Sequence, residues 1–490
     1  MTGFRRSAYA SMRQARDGDE MVDFERLDLP PPARILAGRR TFLVVPAASL
    51  RVLSDTAFTA IQFKARSSLI RDFCRISLDP MGSAGDRLVA DALLENTRIA
   101  SGGIWPLCQD TGTAAVYGWK GDHILVDGDE ELALSEGSAE AWRNKRLRNS
   151  QIVPDSLYVE RNSGDNSPLA CELFAETGSE YRFLFVAKGG GSSNKTSLFQ
   201  ETKRVLQPAA FETFIRKVVK DLGVSACPPY RVVLIVGGQS PEEAMLAAKL
   251  AGCGALDGLP CFPGLSGDPF RDLDAESMVM RIAAESGWGA QFGGTALARD
   301  ARVVRLPRHA ASLPVVAAVS CAAHRQAYAY IDGDGFFLER LAGLPEIELI
   351  ADEARRSFAA LAASPEYALP IAQFKKAMRI DLGSNMRVPK NLAAGDLVEL
   401  HGPVVLARDA AHARLAAILA RGESAPDWSH YPVFYAGPTE TPAGQVSGSI
   451  GPTTSKRMDG YLDDFMSRGI FTVMIGKGER SPACAAACAH

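Results

Sequence analysis

The stretch Tyr181-Arg182-Phe183-Leu184-Phe185-Val186-Ala187-Lys188-Gly189-Gly190-Gly191-Ser192-Ser193-Asn194-Lys195-Thr196 fixes the kind of fold this chain adopts. Tyr181 to Ala187 is a short run rich in aromatic and β-branched residues, the signature of a strand. Three glycines break it, and Ser197 to Val205 reads as a helix. Strand, glycine turn, helix is the setting in which backbone N–H groups cradle an anion. A nucleotide P-loop needs glycine at the position of Asn194, so a carboxylate suits these donors as well as a phosphate.

The same texture extends over residues 105–330. Arg231 to Val236, Val303 to Leu306 and Val315 to Ser320 read as further strands, separated by glycine-rich turns and helical stretches. Upstream, residues 1–100 read as mainly helical, with apolar positions at helical spacing through Ala57–Ile76 and Leu88–Ile99. Pro345 to Tyr367 continues as a helix, and a linker is expected at 362–378. Beyond it Leu397–Leu406, Val433–Ala436 and Phe471–Ile475 read as strands between Gly-Pro-Thr loops. The expected architecture is α/β: a mixed domain over 1–361, helical at its start, and a smaller, mobile β-rich or swivelling α/β domain over 379–490.

Composition sets the outer bounds. The chain has 490 residues, 47% hydrophobic and 23% charged, which suits two or three globular domains and excludes a disordered chain. Lys plus Arg number 54 against 57 Asp plus Glu, a net charge of −3. That gives no bulk attraction to nucleic acid or an anionic membrane. No apolar run is long enough for a bilayer span. Four arginines within Met1–Asp17, without an apolar stretch, do not read as a secretory signal, so a cytoplasmic location is expected. The nine cysteines are scattered and odd in number, which favours reduced thiols.

Four segments have the residues for chemistry. Leu107-Cys108-Gln109-Asp110-Thr111-Gly112-Thr113 can put a thiolate beside an acid/base group in one turn. The glycine turn at 189–191 is the second. Arg305, Arg308 and His309, ahead of a strand ending at Cys321, form the third. Gly437-Pro438-Thr439, Gly448 to Met458 and Gly476-Lys477-Gly478 form the fourth. Each also has an ordinary structural reading as a tight turn. Together they gather thiols, arginines and backbone amides suited to a small anion. Cys108, Cys227 and Cys321 each fall at a loop or strand end, and three thiolates suit an iron–sulfur cubane with one iron left free.

Several motifs, in order from about Pro106 to the C-terminus, resemble the class I, iron–sulfur fumarate hydratases. They are Cys-Gln-Asp-Thr-Gly-Thr, Gly-Gly-Gly-Ser-Ser-Asn-Lys, Ala226-Cys227-Pro228-Pro229-Tyr230 and Gly-Ala-Gln-Phe-Gly-Gly at 289–294. Arg-Leu-Pro-Arg-His at 305–309, Val-Ser-Cys at 319–321, Arg408-Asp409-Ala410-Ala411-His412 and Gly-Pro-Thr-Thr with Arg457 complete the set. The resemblance implies a hydro-lyase of the tricarboxylic acid cycle that hydrates fumarate to L-malate on a [4Fe–4S] cluster. It implies Cys108, Cys227 and Cys321 as cluster ligands and Asp110, Thr453 and His309 as catalytic. Gln109, Arg148, Gly191, Thr454, Arg457 and Lys477 are implied as substrate-binding, and the assembly as a homodimer. Thr453, implied as the base, needs a neighbour to activate it, because an alcohol is a weak base at neutral pH.

Two stretches depart from the single-chain pattern. Where those enzymes carry Ser-Thr-Arg, this chain reads Leu392-Ala393-Ala394-Gly395-Asp396-Leu397-Val398, as small subunits of two-chain fumarases and tartrate dehydratases do, with Arg387 a substitute for the arginine. The chain also stops after Cys488-Ala489-His490, as if truncated. Mesaconate or tartrate as substrate, a phosphotransferase using residues 189–196, and a cluster-bearing paralogue without turnover are the competing readings.

Overall fold

A computed structural model describes residues 16–17, 20–264, 267–362, 377–382, 392–452, 454–478 and 480–489. Thr453, Arg387 and most of the linker expected at 362–378 lie outside these residues. The chain divides into two compact units, Met1–Pro370 and Ile371–His490. Both are mixed α/β. Among the described residues no helix is long and apolar enough to cross a membrane.

The larger unit is built on two sheets. Its main strands are β1 (Phe24–Arg26), β2 (Thr113–Gly121), β3 (Ala170–Glu176), β4 (Tyr181–Lys188), β5 (Ser197–Glu201), β6 (Tyr230–Gly238), β7 (Phe270–Arg271), β8 (Ala298–Arg308), β9 (Leu313–Ser320), β10 (Arg325–Asp332) and β11 (Gly335–Glu339). The first sheet has the order β3-β2-β4-β10-β11-β1, with β3 and β2 parallel and the other pairs antiparallel. The second has the order β5-β9-β6-β8-β7, with β6 and β8 parallel.

Helices cover both outer faces. Its longer ones are α1 (Ala47–Phe63), α2 (Ser67–Leu78), α3 (Ala84–Ser101), α4 (Glu130–Asn144), α5 (Pro208–Leu222), α6 (Pro241–Gly252), α7 (Leu273–Glu285) and α8 (Leu344–Ala362). Leu50, Leu53, Ala57, Phe58 and Ile61 recur at helical spacing on α1. With Leu134 and Trp142 of α4 they pack on Phe183, Phe185 and Ala187 of β4. Leu184 and Val186 point the other way and join α6 and the inner face of the second sheet, Val233, Ile235, Val316 and Ala318. With both faces covered, β4 and β6 read as continuous apolar runs rather than alternating ones. The outer face of the second sheet, Val232, Leu234, Val303 and Val315, packs under α5 and α7. α2, α3 and α8 share a further cluster around Leu69, Phe73, Leu94 and Ile347.

One expectation fails here. Ser197 to Val205 is not a helix: Ser197–Glu201 pairs antiparallel with Leu313–Ala317, and a 3-10 turn follows at Lys203–Leu206. The edge of the second sheet supplies backbone partners that outweigh local helix propensity. The described residues up to 100 are mainly helical, as expected, through α1, α2 and α3, with strands ahead of them. Ala33–Ala37 and Arg40–Val45 form a hairpin, and Arg40–Val45 also pairs parallel with Ile124–Val126.

The smaller unit holds a three-stranded parallel sheet of β12 (Val405–Leu406), β13 (Val433–Phe434) and β14 (Met474–Ile475). Helix α9 (Asp409–Ala420) packs beside it. His412 lies in this core among Tyr435, Phe465 and Phe471, where burial lowers its pKa.

Candidate active site

Three chain segments in the larger unit meet where the two sheets end side by side. In the first sheet Thr113 opens β2 opposite Lys188, and Arg325 opens β10 opposite Ala187. In the second, Ser320 ends β9 opposite Arg231 near the start of β6. Cys108 precedes β2, Cys227 precedes β6 and Cys321 follows β9, so register brings Cys227 and Cys321 to one end of the second sheet, and the stacking of the two sheets sets Cys108 beside them. The Cys227 carbonyl accepts from Ala322 N at 3.0 Å, which joins two of the segments directly.

Each segment is held from behind. Leu107 N donates to the Gln62 carbonyl at 2.8 Å, and Gln62 Nε2 donates to the Thr111 carbonyl at 2.9 Å. Gln62 is fully buried in the last turn of α1. Thr111 Oγ1 donates to the Arg148 carbonyl at 2.6 Å, and Trp142 Nε1 reaches both at 3.2 Å. The loop from Cys108 to Gly112 is thus tied to α1 and α4. Gly112 has φ +80, and a Cβ there would lie 2.8 Å from the Lys188 carbonyl carbon, so no other residue fits. Cys227 is a non-glycine residue at φ +62, a left-handed conformation that costs energy and needs outside support. Tyr230 provides some of it. Its hydroxyl accepts from Ala226 N and donates to the Gly223 carbonyl.

The polar groups in front of this scaffold are held by hydrogen bonds. Arg148 Nη1 donates to Gln109 Oε1 at 3.4 Å, and Gln109 Nε2 is buried with no hydrogen-bond partner among the described residues. The Asp110 carboxylate accepts from Gly190 N at 2.8 Å and Gly112 N at 3.2 Å. The glycine turn therefore does cradle an anion, and that anion is the protein's own Asp110. Lys195 donates to the Asp221 carbonyl at 2.9 Å. Gly191 abuts the Cys227 loop, since a Cβ on it would lie 3.7 Å from Ala226 Cα.

Electrostatics tie these groups together. Burial pushes the Cys108 thiol up to about 11, with Cys321, Asp110 and Cys227 adding to the rise and the Arg325 guanidinium opposing it. Three thiols and a carboxylate this close resist ionising together unless positive charge sits among them. Beside Cys321 a small cavity is lined by Lys188, Ser192, Cys253, His324 and Arg325. Burial lowers the pKa of Lys188 and holds His324 well below its ordinary value.

The donor set fits an iron–sulfur cluster. It consists of three soft sulfurs from separate segments, in a site where ionised thiolates need cationic partners. Among the described residues no group of His, Cys, Asp and Glu sits tightly enough for one metal ion. In a cubane each thiolate binds its own iron, so the demand is different.

His309 does not join this group. It lies on the exposed turn between β8 and β9, at the opposite end of the second sheet from Cys321. The eight residues of β9 separate the two by about 25 Å. In the smaller unit two of the expected residues, Thr454 and Lys477, come together. Thr454 pairs with Lys477, Lys477 N donates to Ser455 Oγ at 2.7 Å, and Arg457 Nη2 meets Asp409 Oδ2 at 3.4 Å. Arg408 packs against Gly437, and Ala436–Pro438 pairs antiparallel with Ile450–Pro452.

Sequence reasoning passed over Gln62, Trp142 and Arg325. Gln62 had a usable signal, an amide on the apolar face of an amphipathic helix. Arg325 had none beyond its nearness to Cys321.

Comparison with known proteins extends this picture over both units. The family model described as fumarate hydratase (Fumerase) matches residues 53–330, and the fumarase C-terminus model matches 356–490. Fumarate hydratase 2 of Leishmania major is 41% identical over 92% of this chain and 77% of its own. The aerobic class I fumarate hydratase of Escherichia coli K12 is 38% identical over 92% and 80%. A putative L(+)-tartrate dehydratase subunit alpha of Methanocaldococcus jannaschii is 29% identical over 48% of the chain and 81% of its own. With both family models matched in sequence and near-full-length relatives about two-fifths identical, the chain belongs to the fumarate hydratase family.

Proposed function

We infer that this chain is a hydro-lyase that reversibly hydrates fumarate to L-malate. The observation that carries the reading is the meeting of Cys108, Cys227 and Cys321 beside Asp110, Gln109 and Arg148, within a chain of this family. The three thiolates hold a [4Fe–4S] cluster, which supplies Lewis-acid activation of the hydroxyl that adds or leaves.

The remaining work falls to the chain's own groups. Arg148, oriented by Gln109 Oε1, grips one substrate carboxylate through its guanidinium fork. The unpartnered Gln109 Nε2 and the Gly191 amide donate to the same dianion. Asp110, fixed by two backbone amides, exchanges a proton with the hydroxyl at C2. The family motifs also name Thr454, Arg457 and Lys477 as substrate-binding, a hydroxyl and two cations suited to a carboxylate on which negative charge builds as the C3 proton leaves. Thr453 takes that proton and passes it to an activating neighbour. His309 receives no role. The same proposal includes a homodimer and a cytoplasmic location, checked by light scattering and by fractionation.

The test is anaerobic. Iron and sulfide are quantified with the visible spectrum, and fumarate, mesaconate and tartrate are turned over by the same preparation. The expected result is a bound cluster, with fumarate the best substrate by kcat/KM. Cys321→Ser is expected to lose both cluster and turnover. A preparation that binds no cluster after reconstitution overturns the reading, and faster turnover of mesaconate or tartrate reassigns the substrate.

A further inference from the structure

Arg325 is 2% exposed, one of the largest fully buried side chains in the protein. Burying a guanidinium is costly unless an anion compensates it, and a guanidinium does not escape by losing its proton. Other buried arginines here obey that rule. Arg66 pairs with Glu339, Arg231 and Arg302 share Asp257, and Arg271 meets Glu276. Arg325 has no such partner. Among the described residues it makes no ion pair. Its Nη1 donates to the neutral Gln62 Oε1 at 3.0 Å, and its Nε is buried without an acceptor.

What Arg325 faces is the cluster site. It lines the cavity beside Cys321. Gly189 lies between it and Asp110: a Cβ there would be 3.0 Å from Asp110 Oδ2 and 3.6 Å from Arg325 Nη2. We propose that Arg325 is the fixed counter-charge of the thiolate-bound cluster, a positioning residue that raises the cluster's reduction potential and slows its oxidative breakdown. The proposal rests on the cluster reading above. Its physical basis is that a nearby positive charge favours the more reduced, more negative state of the cluster. The bond to Gln62 gives the same guanidinium a second task. Gln62 also holds Thr111, so the counter-charge and the Asp110 turn share one anchor.

The test compares wild type, Arg325→Met and Arg325→Lys after anaerobic reconstitution. Midpoint potentials come from redox titration followed by EPR, and conversion to the three-iron form under ferricyanide is timed by EPR. Arg325→Met is expected to have a lower potential and a several-fold faster conversion, with Arg325→Lys close to wild type on both. Equal potentials in wild type and a folded, cluster-loaded Arg325→Met overturn the proposal. If Arg325→Met does not fold, Arg325→Lys decides, because a potential far from wild type with the charge retained also overturns it. A wild type that binds no cluster instead defeats the underlying functional reading.

Discussion

Two glycine-rich turns in the larger unit each close on a carboxylate, to opposite ends. The turn at Gly289–Gly294 wraps Asp86. Ala290 N donates to Oδ1 at 2.6 Å, and Thr295 N and Ala296 N donate to Oδ2 at 2.8 and 3.2 Å. Asp86 is 0% exposed, in the first turn of α3, whose N-cap Ser83 donates to the Gly293 carbonyl. The turn at Gly189–Ser193 gives Asp110 one donor, Gly112 gives another, and the carboxylate stays part-exposed beside the thiols. The lesson is one of spare capacity. A carboxylate surrounded by amides and shut away from solvent is a clasp, and one with lone pairs left over can exchange a proton.

Changing each carboxylate to its amide sharpens that contrast. Asp110→Asn keeps an acceptor for Gly190 N but cannot move a proton, so turnover is expected to fall by about 10²–10⁴-fold. Its melting temperature and visible cluster spectrum are expected to stay near wild type. A comparable loss of stability would make Asp110 another clasp. Asp86→Asn turns an amide N–H₂ toward backbone donors inside a buried pocket. Denaturant unfolding is expected to show a loss of about 2–4 kcal/mol, with turnover per folded, cluster-loaded molecule unchanged. A drop in that turnover would bring the Gly289–Gly294 turn into the chemistry. Lys195→Ala is the smallest change. Lys195 follows the Gly189–Ser193 turn and donates to the Asp221 carbonyl near the surface, so stability is expected to move by no more than about 0.5 kcal/mol. Measurable ATP binding by wild type that this variant loses would revive the phosphotransferase reading.

The sequence discloses these two turns in the same way, as glycines in family motifs, and gives no sign that they differ. Strands with local signals were legible: Tyr181–Lys188, Tyr230–Gly238 and Leu313–Ser320 all form where apolar, β-branched runs stand. Ser197–Glu201 was not, because its pairing partner lies more than a hundred residues later and tertiary context overrode propensity. In the candidate site the thiols, Gln109, Asp110 and Arg148 were named by motif and come together in space. His309 was named by motif too, and the register of β9 puts it at the end of its sheet away from Cys321. Motif adjacency in sequence carries no information about which end of a strand a residue occupies. Gln62 and Arg325 were overlooked for a related reason, since their importance lies in what they hold and that depends on contacts between distant segments.

Cys108, Cys227 and Cys321 stand roughly a hundred residues apart along the chain, and no two of them are brought near one another by a local hairpin. They become neighbours only once both sheets have paired and stacked, and such long-range closures come late in folding. On the proposed reading, loading of a cluster would therefore be an end-point event, since the thiols of a half-folded chain are scattered sites that offer iron no shared home. The colour of the holoprotein would then serve as a report on completed folding as well as on composition.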